Sequence, residues 1–346
     1  MLMTVSSSST RTPDVWVLQT ARAGDSAQAR ALAEALGWPY ELKDLRFNAL
    51  HNAPNAWLGG TRATLNAPSK RRLEAPWPDL VIAVARRTVP VARWIRAQSG
   101  GRTRLVHLGR PRVNARHFDL VVSTPQYAVP EAVNVFQIPA PLHGPPAKNR
   151  LDAWLNRYAH LPRPWTAIVL GGEPWPYRLD ETAAKRLAAQ VNQLVRGEGS
   201  VIISDSPRTP AFVGPVLERA LDCAVQHETW KSGDENPYPA LLQLADRFVV
   251  TGDSASMLAE TCGRGRPVFI FDLPSRPLAG ATAAAARALA GVGVLHPPRD
   301  MSRLHDRLIA GGHAERLGAR TAYEHSPLPD ALPTAVARIR ELFSPT

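Results

Sequence analysis

Phe248-Val-Val-Thr-Gly-Asp-Ser-Ala-Ser-Met-Leu-Ala-Glu-Thr-Cys-Gly-Arg-Gly-Arg-Pro-Val-Phe-Ile-Phe-Asp272 reads as strand, turn, helix, turn, strand. Phe248 to Thr251 is a short apolar strand. Gly252, Asp253 and Ser254 turn the chain, and Asp253 or Ser254 is placed to cap the helix that follows by accepting its orphan N–H groups. Leu258, Ala259 and Cys262 give that helix an apolar face. Gly263 and Gly265 end it, and Pro267 leads into a second apolar strand, Val268 to Phe271. A Gly- and Ser-rich helix start at the carboxyl end of a parallel strand suits an anion. The same pattern fits any βαβ unit, so what it decides first is the class, α/β.

Working upstream, Ala167 to Leu170 is a strand ending in Gly171-Gly-Glu-Pro174. A helix follows with Leu187, Val191, Leu194 and Val195 on one face. Val201 to Ile203 is a strand ending in Ser204-Asp-Ser-Pro-Arg-Thr209, Cys223 to Gln226 is a short strand, and His227 to Tyr238 is a polar loop. The first half repeats the alternation. Val15 to Leu18 is a strand; Ala29, Leu32, Ala33 and Leu36 recur at helical spacing before Gly37 stops the helix. Leu80 to Val84 is a near-continuous apolar run, as in a parallel strand buried on both faces. Leu105 to Leu108, Leu120 to Ser123 and Val133 to Ile138 are further strands. Residues 46–78 lack a clean period and read as a long loop with a short helix. Strands alternating with helices predict doubly wound sheets, in which ligands sit beyond the carboxyl ends of strands. Gly24–Gln28, Arg86–Thr88, Gly109–Arg112 and Thr124–Tyr127 then share one rim.

The organisation predicted is a disordered leader (1–13), an N-terminal Rossmann-like domain (14–138) and a Pro-rich linker (139–150). A C-terminal Rossmann-like domain (151–330) and a C-terminal helix (331–346) complete it. A length of 346 residues suits two domains. The two cysteines, Cys223 and Cys262, form no CxxC, which argues against a disulfide framework or zinc site and fits a reducing cytosol. The Ser/Thr-rich start lacks the apolar core of a signal peptide. No run of about 18 apolar residues predicts a membrane span; Ala279 to Ala290 is short, contains Arg287 and reads as a soluble helix. A cytoplasmic protein is expected, with a peripheral place on the inner face of the cell membrane as one reading of its charge. The net charge is +11, and residues 1–150 hold 20 Lys and Arg against 9 Asp and Glu, while the remainder is balanced at 21 to 21. An anionic partner, either a membrane surface or a phosphorylated acceptor, explains the asymmetry. Codon composition explains it equally, since only 5 of 41 basic residues are Lys. The arginines carry no recognised nucleic-acid motif, and nucleic acid is not expected as a partner.

Two α/β domains with a Pro-rich linker and closing helices resemble the GT-B architecture of nucleotide-sugar glycosyltransferases. Thr251-Gly-Asp-Ser-Ala-Ser-Met-Leu-Ala-Glu260, followed by Gly265-Arg-Pro267, is similar to the donor element of that architecture. The resemblance implies that Gly252, Asp253, Ser254 and Ser256 face phosphate or sugar and that Glu260 holds the ribose. A finer resemblance is to the mitochondrial-fission "elongated mitochondria" family, whose bacterial members are assigned as glycosyltransferases. It rests on Val15-Trp-Val-Leu18, Arg22-Ala-Gly-Asp-Ser-Ala-Gln28, Pro78-Asp-Leu-Val-Ile-Ala-Val84 with Arg86-Arg87, and His107-Leu-Gly-Arg-Pro111. Thr124-Pro-Gln-Tyr127, Leu170-Gly-Gly172, Ser206-Pro-Arg-Thr209, Glu235-Asn-Pro-Tyr238 and Val250-Thr-Gly-Asp-Ser254 complete it. Many members carry Asp-Gly where this chain has Thr20-Ala21.

Glycosyl transfer needs a diphosphate cradle, a nucleoside anchor and, for inversion, a base on the acceptor side. The donor set implied is Gly171, Gly172, Glu173, Ser206, Arg208, Thr209, Glu235, Asn236 and the Gly252–Glu260 element. Arg208 and helix dipoles offset leaving-group charge. Glu235 and Asn236 either hold the sugar or cap the helix near Pro237. Asp25 is the candidate general base, with Gly24, Gln28, Arg86, Arg87 and Thr124 on the acceptor side; Asp25 or Ser26 alternatively caps its helix. No Asp-x-Asp occurs, so metal-independent transfer is expected, with a nucleotide sugar as substrate and no cofactor. The acceptor expected is an envelope or lipid-linked glycan. His107, at a strand end, reads as a packed core histidine. A non-catalytic GT-B scaffold at a membrane surface is the alternative. An NAD-dependent sugar epimerase is disfavoured, since GxGxxG and Tyr-x-x-x-Lys are both absent.

Overall fold

The computed structural model describes residues 11–20, 23–145, 151–231, 233–276, 299–319 and 325–344. Most of the expected leader and the helix expected over Ala279 to Ala290 lie outside the described residues. The chain divides into two compact units: Met1–Ser123, Val129–Phe136 and Leu332–Thr346 form one, and Thr124–Ala128 with Gln137–Ala331 the other.

The first unit holds strands β1 (Val15–Gln19), β2 (Tyr40–Asp44), β3 (Leu80–Val84), β4 (Arg104–Leu108), β5 (Leu120–Ser123) and β6 (Val135–Gln137), in the order β2-β1-β3-β4-β5-β6. The pairings from β2 through β5 are parallel. Helices α1 (Ala23–Leu36), α2 (Asn55–Leu58), α3 (Ala67–Arg71) and α4 (Val89–Gln98) lie between them. Every residue of β1 and β3 is buried, which is why Val15–Leu18 and Leu80–Val84 are continuously apolar. The edge strand β2 has no counterpart among the sequence expectations. Its polar residues Glu41 and Lys43 hide it: Lys43 is buried, with its ammonium 4.0 Å from the Trp16 ring centroid and 2.6 Å from Glu41. The strand expected over Val133 to Ile138 is shorter, at Val135–Gln137.

The second unit holds β7 (Trp165–Val169), β8 (Ser200–Ser204), β9 (Ala224–Glu228), β10 (Arg247–Thr251), β11 (Val268–Phe271) and β12 (Glu315–Arg316), in the order β12-β11-β10-β7-β8-β9. All five pairings are parallel. Helices α5 (Leu151–Tyr158), α6 (Glu181–Val195), α7 (Val213–Ala220), α8 (Tyr238–Leu244), α9 (Ala255–Cys262) and α10 (Met301–Ala310) accompany them. Strand alternation divides the core cleanly. Ala167, Val169, Ile202, Phe248, Val250, Val268 and Ile270 face one apolar layer. Ile168, Leu170, Val201, Ile203, Val249, Phe269 and Phe271 face the other, against α6 and α7. Each fully buried Val, Leu, Ile or Phe contributes about 1.5–3 kcal/mol. Asp180 caps α6 by accepting the Ala183 N–H at 3.0 Å.

The observed division departs from the expected boundaries at three places. The expected linker is partly core: Ala140 and Leu142 are buried in the second unit. Thr124–Ala128, after β5, also groups there, where the Asp300 N–H donates to the Gln126 carbonyl at 3.1 Å. The last helix, α11 (Leu332–Glu341), belongs to the first unit. Arg340 donates to the Leu36 carbonyl at the end of α1 at 3.0 Å, and Phe343 meets Trp38 edge-on at 5.2 Å.

Candidate functional site

In the second sheet the chain builds outward from β7 through β8 to β9, then returns to place β10 on the other side of β7. The carboxyl ends of β7 and β10 therefore border the topological switch point, where open α/β sheets bind ligands. Leu170-Gly171-Gly172-Glu173 leaves β7 there. Thr251-Gly252-Asp253-Ser254 leaves β10 and enters α9.

Hydrogen bonds lock these two turns together. The Gly171 N–H donates to the Thr251 hydroxyl oxygen at 2.7 Å, and that hydroxyl donates to Asp253 Oδ1 at 2.8 Å. The Gly172 N–H donates to Asp253 Oδ2 at 2.9 Å. Asp253 is 1% exposed. Burial pushes its carboxyl above the ordinary range, while the Gly172 N–H, the Thr251 hydroxyl and Arg208, 3.8 Å away, act the other way. The glycine pair is required by close approach. A Cβ on Gly171 would stand 2.1 Å from Asp253 Oδ1, and one on Gly172 would stand 2.6 Å from Arg208 Cβ.

The turn after β8 is tied to the same place. The Ser206 and Thr209 hydroxyls both donate to the Gly171 carbonyl, at 2.9 and 2.7 Å, and the Ser206 N–H donates to Thr209 Oγ1 at 2.8 Å. These two expected donor contacts thus serve inside the protein, while Arg208 between them keeps its side chain half exposed. From α10, His305 donates through Nε2 to the Gly252 carbonyl at 2.8 Å and sets Nδ1 3.1 Å from Asp272 Oδ1. Hydrogen bonding from His305 and pairing with Arg316 hold Asp272 below the usual carboxylate range. A Cβ on Gly252 would stand 2.5 Å from His305 Cε1, so this glycine too marks a close approach.

The expected helix cap is not made. Asp253 turns back to the β7 turn, and Ser254, the N-cap of α9, makes no side-chain capping bond. The first-turn amides of α9 therefore carry no side-chain cap, which leaves an anion-friendly end at the switch point. Ser256 is half-buried in that turn. Glu260 lies a turn later and accepts from the Tyr238 hydroxyl at 2.5 Å. Burial raises the Glu260 carboxyl, opposed by that hydrogen bond and by Arg264. Asn236 accepts the Tyr238 N–H, the first amide of α8, at 3.1 Å, while the N-cap itself is Pro237. Glu235 is exposed and pairs with Lys231 at 3.2 Å. Glu173 is exposed and accepts the Leu179 N–H at 2.7 Å.

The first sheet has its own switch point, between β1 and β3. Gly24, Asp25 and Gln28 lie in the opening turns of α1 after β1, and Arg86 and Arg87 lie in a short 3-10 helix after β3. Ser26 is held inside the first unit by donating to the Thr20 carbonyl at 2.9 Å. Thr124 departs from the expected acceptor set: it is 4% exposed and groups with the second unit. A cavity of about 480 Å³ in the first unit lies elsewhere, at the amino ends of β1 and β2 beside Trp16 and Trp77. Among the described residues no group of three or more His, Cys, Asp or Glu is placed to hold a metal ion. No helix among them is long and apolar enough to cross a membrane.

Sequence reasoning brought Gly171, Gly172, Ser206, Arg208, Thr209, Gly252, Asp253 and Ser254 to one place, and the structure joins them there. It missed Thr251, Asp272 and His305. Thr251 had a signal, standing two residues before Asp253 at the strand end. His305 had none, because it occupies a core position of an amphipathic helix among Met301, Leu304 and Leu308.

A sequence model of the family described as mitochondrial fission ELM1 matches residues 23–341. The chain is 28% identical over 230 residues to the mitochondrial fission protein ELM1 of Arabidopsis thaliana, a match that takes in 58% of this chain and 53% of the plant protein. The chain thus spans about half the length of that relative. It is 24% identical over 300 residues to an uncharacterised protein of Rickettsia prowazekii (strain Madrid E), covering 76% of this chain and 84% of that protein. Among solved structures it is similar to UDP-GlcNAc 2-epimerase from Methanocaldococcus jannaschii, with a TM-score of 0.55 and 12% identity over 95% of this chain and 99% of that one. That likeness is one of fold, and with the two parallel six-stranded sheets it places the chain in the expected class, paired Rossmann-like domains of the GT-B type.

Proposed function

This chain belongs to the mitochondrial fission ELM1 family, and we propose that its second unit binds the diphosphate of a nucleotide sugar at the β7–β10 switch point. The observation that carries this reading is the uncapped start of α9 beside the half-exposed Arg208, held in register by the buried Asp253–Thr251–Gly171 lock. A diphosphate there accepts from helix amides and pairs with Arg208. Glu260 is the candidate ribose anchor, with Tyr238 fixing its carboxyl. A solved structure of similar fold is UDP-GlcNAc 2-epimerase, whose name gives a nucleotide sugar as its substrate. The reaction proposed is metal-independent transfer of the sugar to an envelope or lipid-linked acceptor. Asp25 is the candidate base, and the helix end and Arg208 offset leaving-group charge. A peripheral place at an anionic membrane surface is the part of the proposal that the basic first half supports.

A non-catalytic scaffold is the second reading, and one observation favours it. The Gly172 N–H, the Ser206 and Thr209 hydroxyls and both Asp253 oxygens are satisfied within the protein. Thermal unfolding with UDP, GDP and their sugar conjugates separates the two. Binding at 100 times Kd adds about 2.7 kcal/mol and shifts a unit of this size by several degrees. Ser254→Trp is expected to abolish the shift by filling the anion position, and Glu260→Ala to reduce it. If no nucleotide or nucleotide sugar stabilises the protein, the scaffold reading stands and the transferase reading fails.

A further inference from the structure

In the first unit, two arginine-bearing loops leave neighbouring strands: Ala85-Arg86-Arg87-Thr88 after β3 and Gly109-Arg110-Pro111-Arg112 after β4. Two buried side chains fasten them to each other. Asn55, 3% exposed, donates from Nδ2 to the Arg86 carbonyl at 2.8 Å and to the Pro111 carbonyl at 2.9 Å. Sharing one amide nitrogen, those carbonyls lie within about 6 Å of each other. His107, fully buried at the end of β4, donates from Nε2 to the Ala85 carbonyl at 3.4 Å; burial lowers it to about 4, so it stays neutral. Thr88 adds hydroxyl bonds to the Val84 and Ala85 carbonyls at 2.9 and 3.0 Å.

This fastening holds a backbone that would otherwise relax. Ala85 sits at φ 63° and ψ 155°, a region natural to glycine, and Arg112 sits at φ 58°. Such positions each cost about 1–3 kcal/mol and persist only where the surroundings over-determine them. The result is a pair of arginine loops pinned at the edge of the first switch point. Arg87 is exposed and Arg110 half-buried, and neither has an ion pair or hydrogen bond among the described residues. Burial lowers the Arg110 guanidinium, with no carboxylate among the described residues to offset it. An anion supplies what both guanidiniums lack.

We propose that these two clamped loops form an anion site that takes the phosphate or diphosphate group of a phosphorylated ligand, with Arg87 and Arg110 as its contacts. Asn55 and His107 are its positioning residues. That this group anchors the acceptor rests on the transferase reading above; the anion site itself does not.

Inorganic pyrophosphate is the probe, titrated calorimetrically into the full chain carrying Ser254→Trp, which blocks the second-unit turn. Saturable binding is expected, weakened at least about tenfold by Arg87→Gln or Arg110→Gln, with the unfolding midpoint of each variant checked. Arg110→Lys is expected to recover only part of the loss, since it keeps charge without the fork. No pyrophosphate binding, or binding indifferent to the Arg87→Gln/Arg110→Gln double variant, overturns the site. Sedimentation with phosphatidylcholine vesicles containing phosphatidic acid separates the sources. Capture that free pyrophosphate competes away and the double variant abolishes assigns a lipid phosphate; pyrophosphate binding without capture assigns a soluble ligand. UDP stabilisation of the chain without Ser254→Trp is read in parallel, so loss of the nucleotide reading leaves this result standing.

Discussion

Thr251 makes the most consequential single contact at the β7–β10 switch point. Its hydroxyl accepts from the Gly171 N–H and donates to the buried Asp253 carboxylate, so one oxygen satisfies two groups that have left water. Thr251→Val keeps the shape and removes that oxygen. It strands a buried N–H and weakens a buried carboxylate, each at about 1–3 kcal/mol. Thr251→Ser keeps the hydroxyl and is expected to retain most of the stability. Urea unfolding of the two variants measures the difference; equal midpoints would show that the lock does not hold the turns. Sequence reasoning found Gly171, Gly172 and Asp253 but not Thr251, the residue that joins them. Gly171 and Asp253 are 82 positions apart, and their mutual exclusion of a Cβ is invisible until the strands are paired. Asp253 looked like a cap because Asp before a helix usually is one; here the Gly172 N–H of the β7 turn and the Thr251 hydroxyl at the end of β10 donate to its oxygens instead.

At the scale of elements, the buried strands were legible and the edges were not. β3, β7 and β10 are nearly all apolar because helices cover both faces, whereas β2 and the two-residue β12 sit at sheet edges and carry charge. β9, the opposite edge of the second sheet, is half-buried and holds His227. His227 reaches Asp205, which follows β8 and opens the Ser206–Thr209 turn, at 3.0 Å, and faces Glu218 of α7 at 3.6 Å. The hydrogen bond that His227 donates to Asp205 raises the imidazole above its ordinary 6.5, against burial. A raised histidine contributes stability in full below its unfolded value and loses that contribution as pH climbs through its folded value. The protein is therefore expected to lose stability relative to a His227→Gln variant as pH rises above the ordinary imidazole value of 6.5. Urea midpoints of both proteins across that range test it. Parallel curves would mean that the charged His227–Asp205 pair contributes nothing to holding the β8 turn.

For the whole molecule, the telling feature is the return of the chain to its first unit. Sequence periodicity located the final helix but could not say which domain it closes, because an amphipathic stripe shows that a face is buried and not against what. The structure assigns α11 to the first unit, where Leu332, Ala335, Val336 and Ile339 are buried and Arg340 reaches the end of α1. The burial of Leu332, Val336 and Ile339 contributes on the order of 5 kcal/mol, comparable with the total stability of a typical domain. A chain ending at Ala331 is therefore expected to lose the fold of its first unit and keep that of its second. Hydrogen exchange resolves the two. Amides of β1 and β3 should lose protection in the truncated chain, while those of β7, β8 and β10 keep it and UDP still stabilises the protein. Uniform loss across both sheets would show that the two units unfold as one. Unchanged protection of β1 and β3 would show that α11 is an accessory to the first unit, whose core would then hold without it.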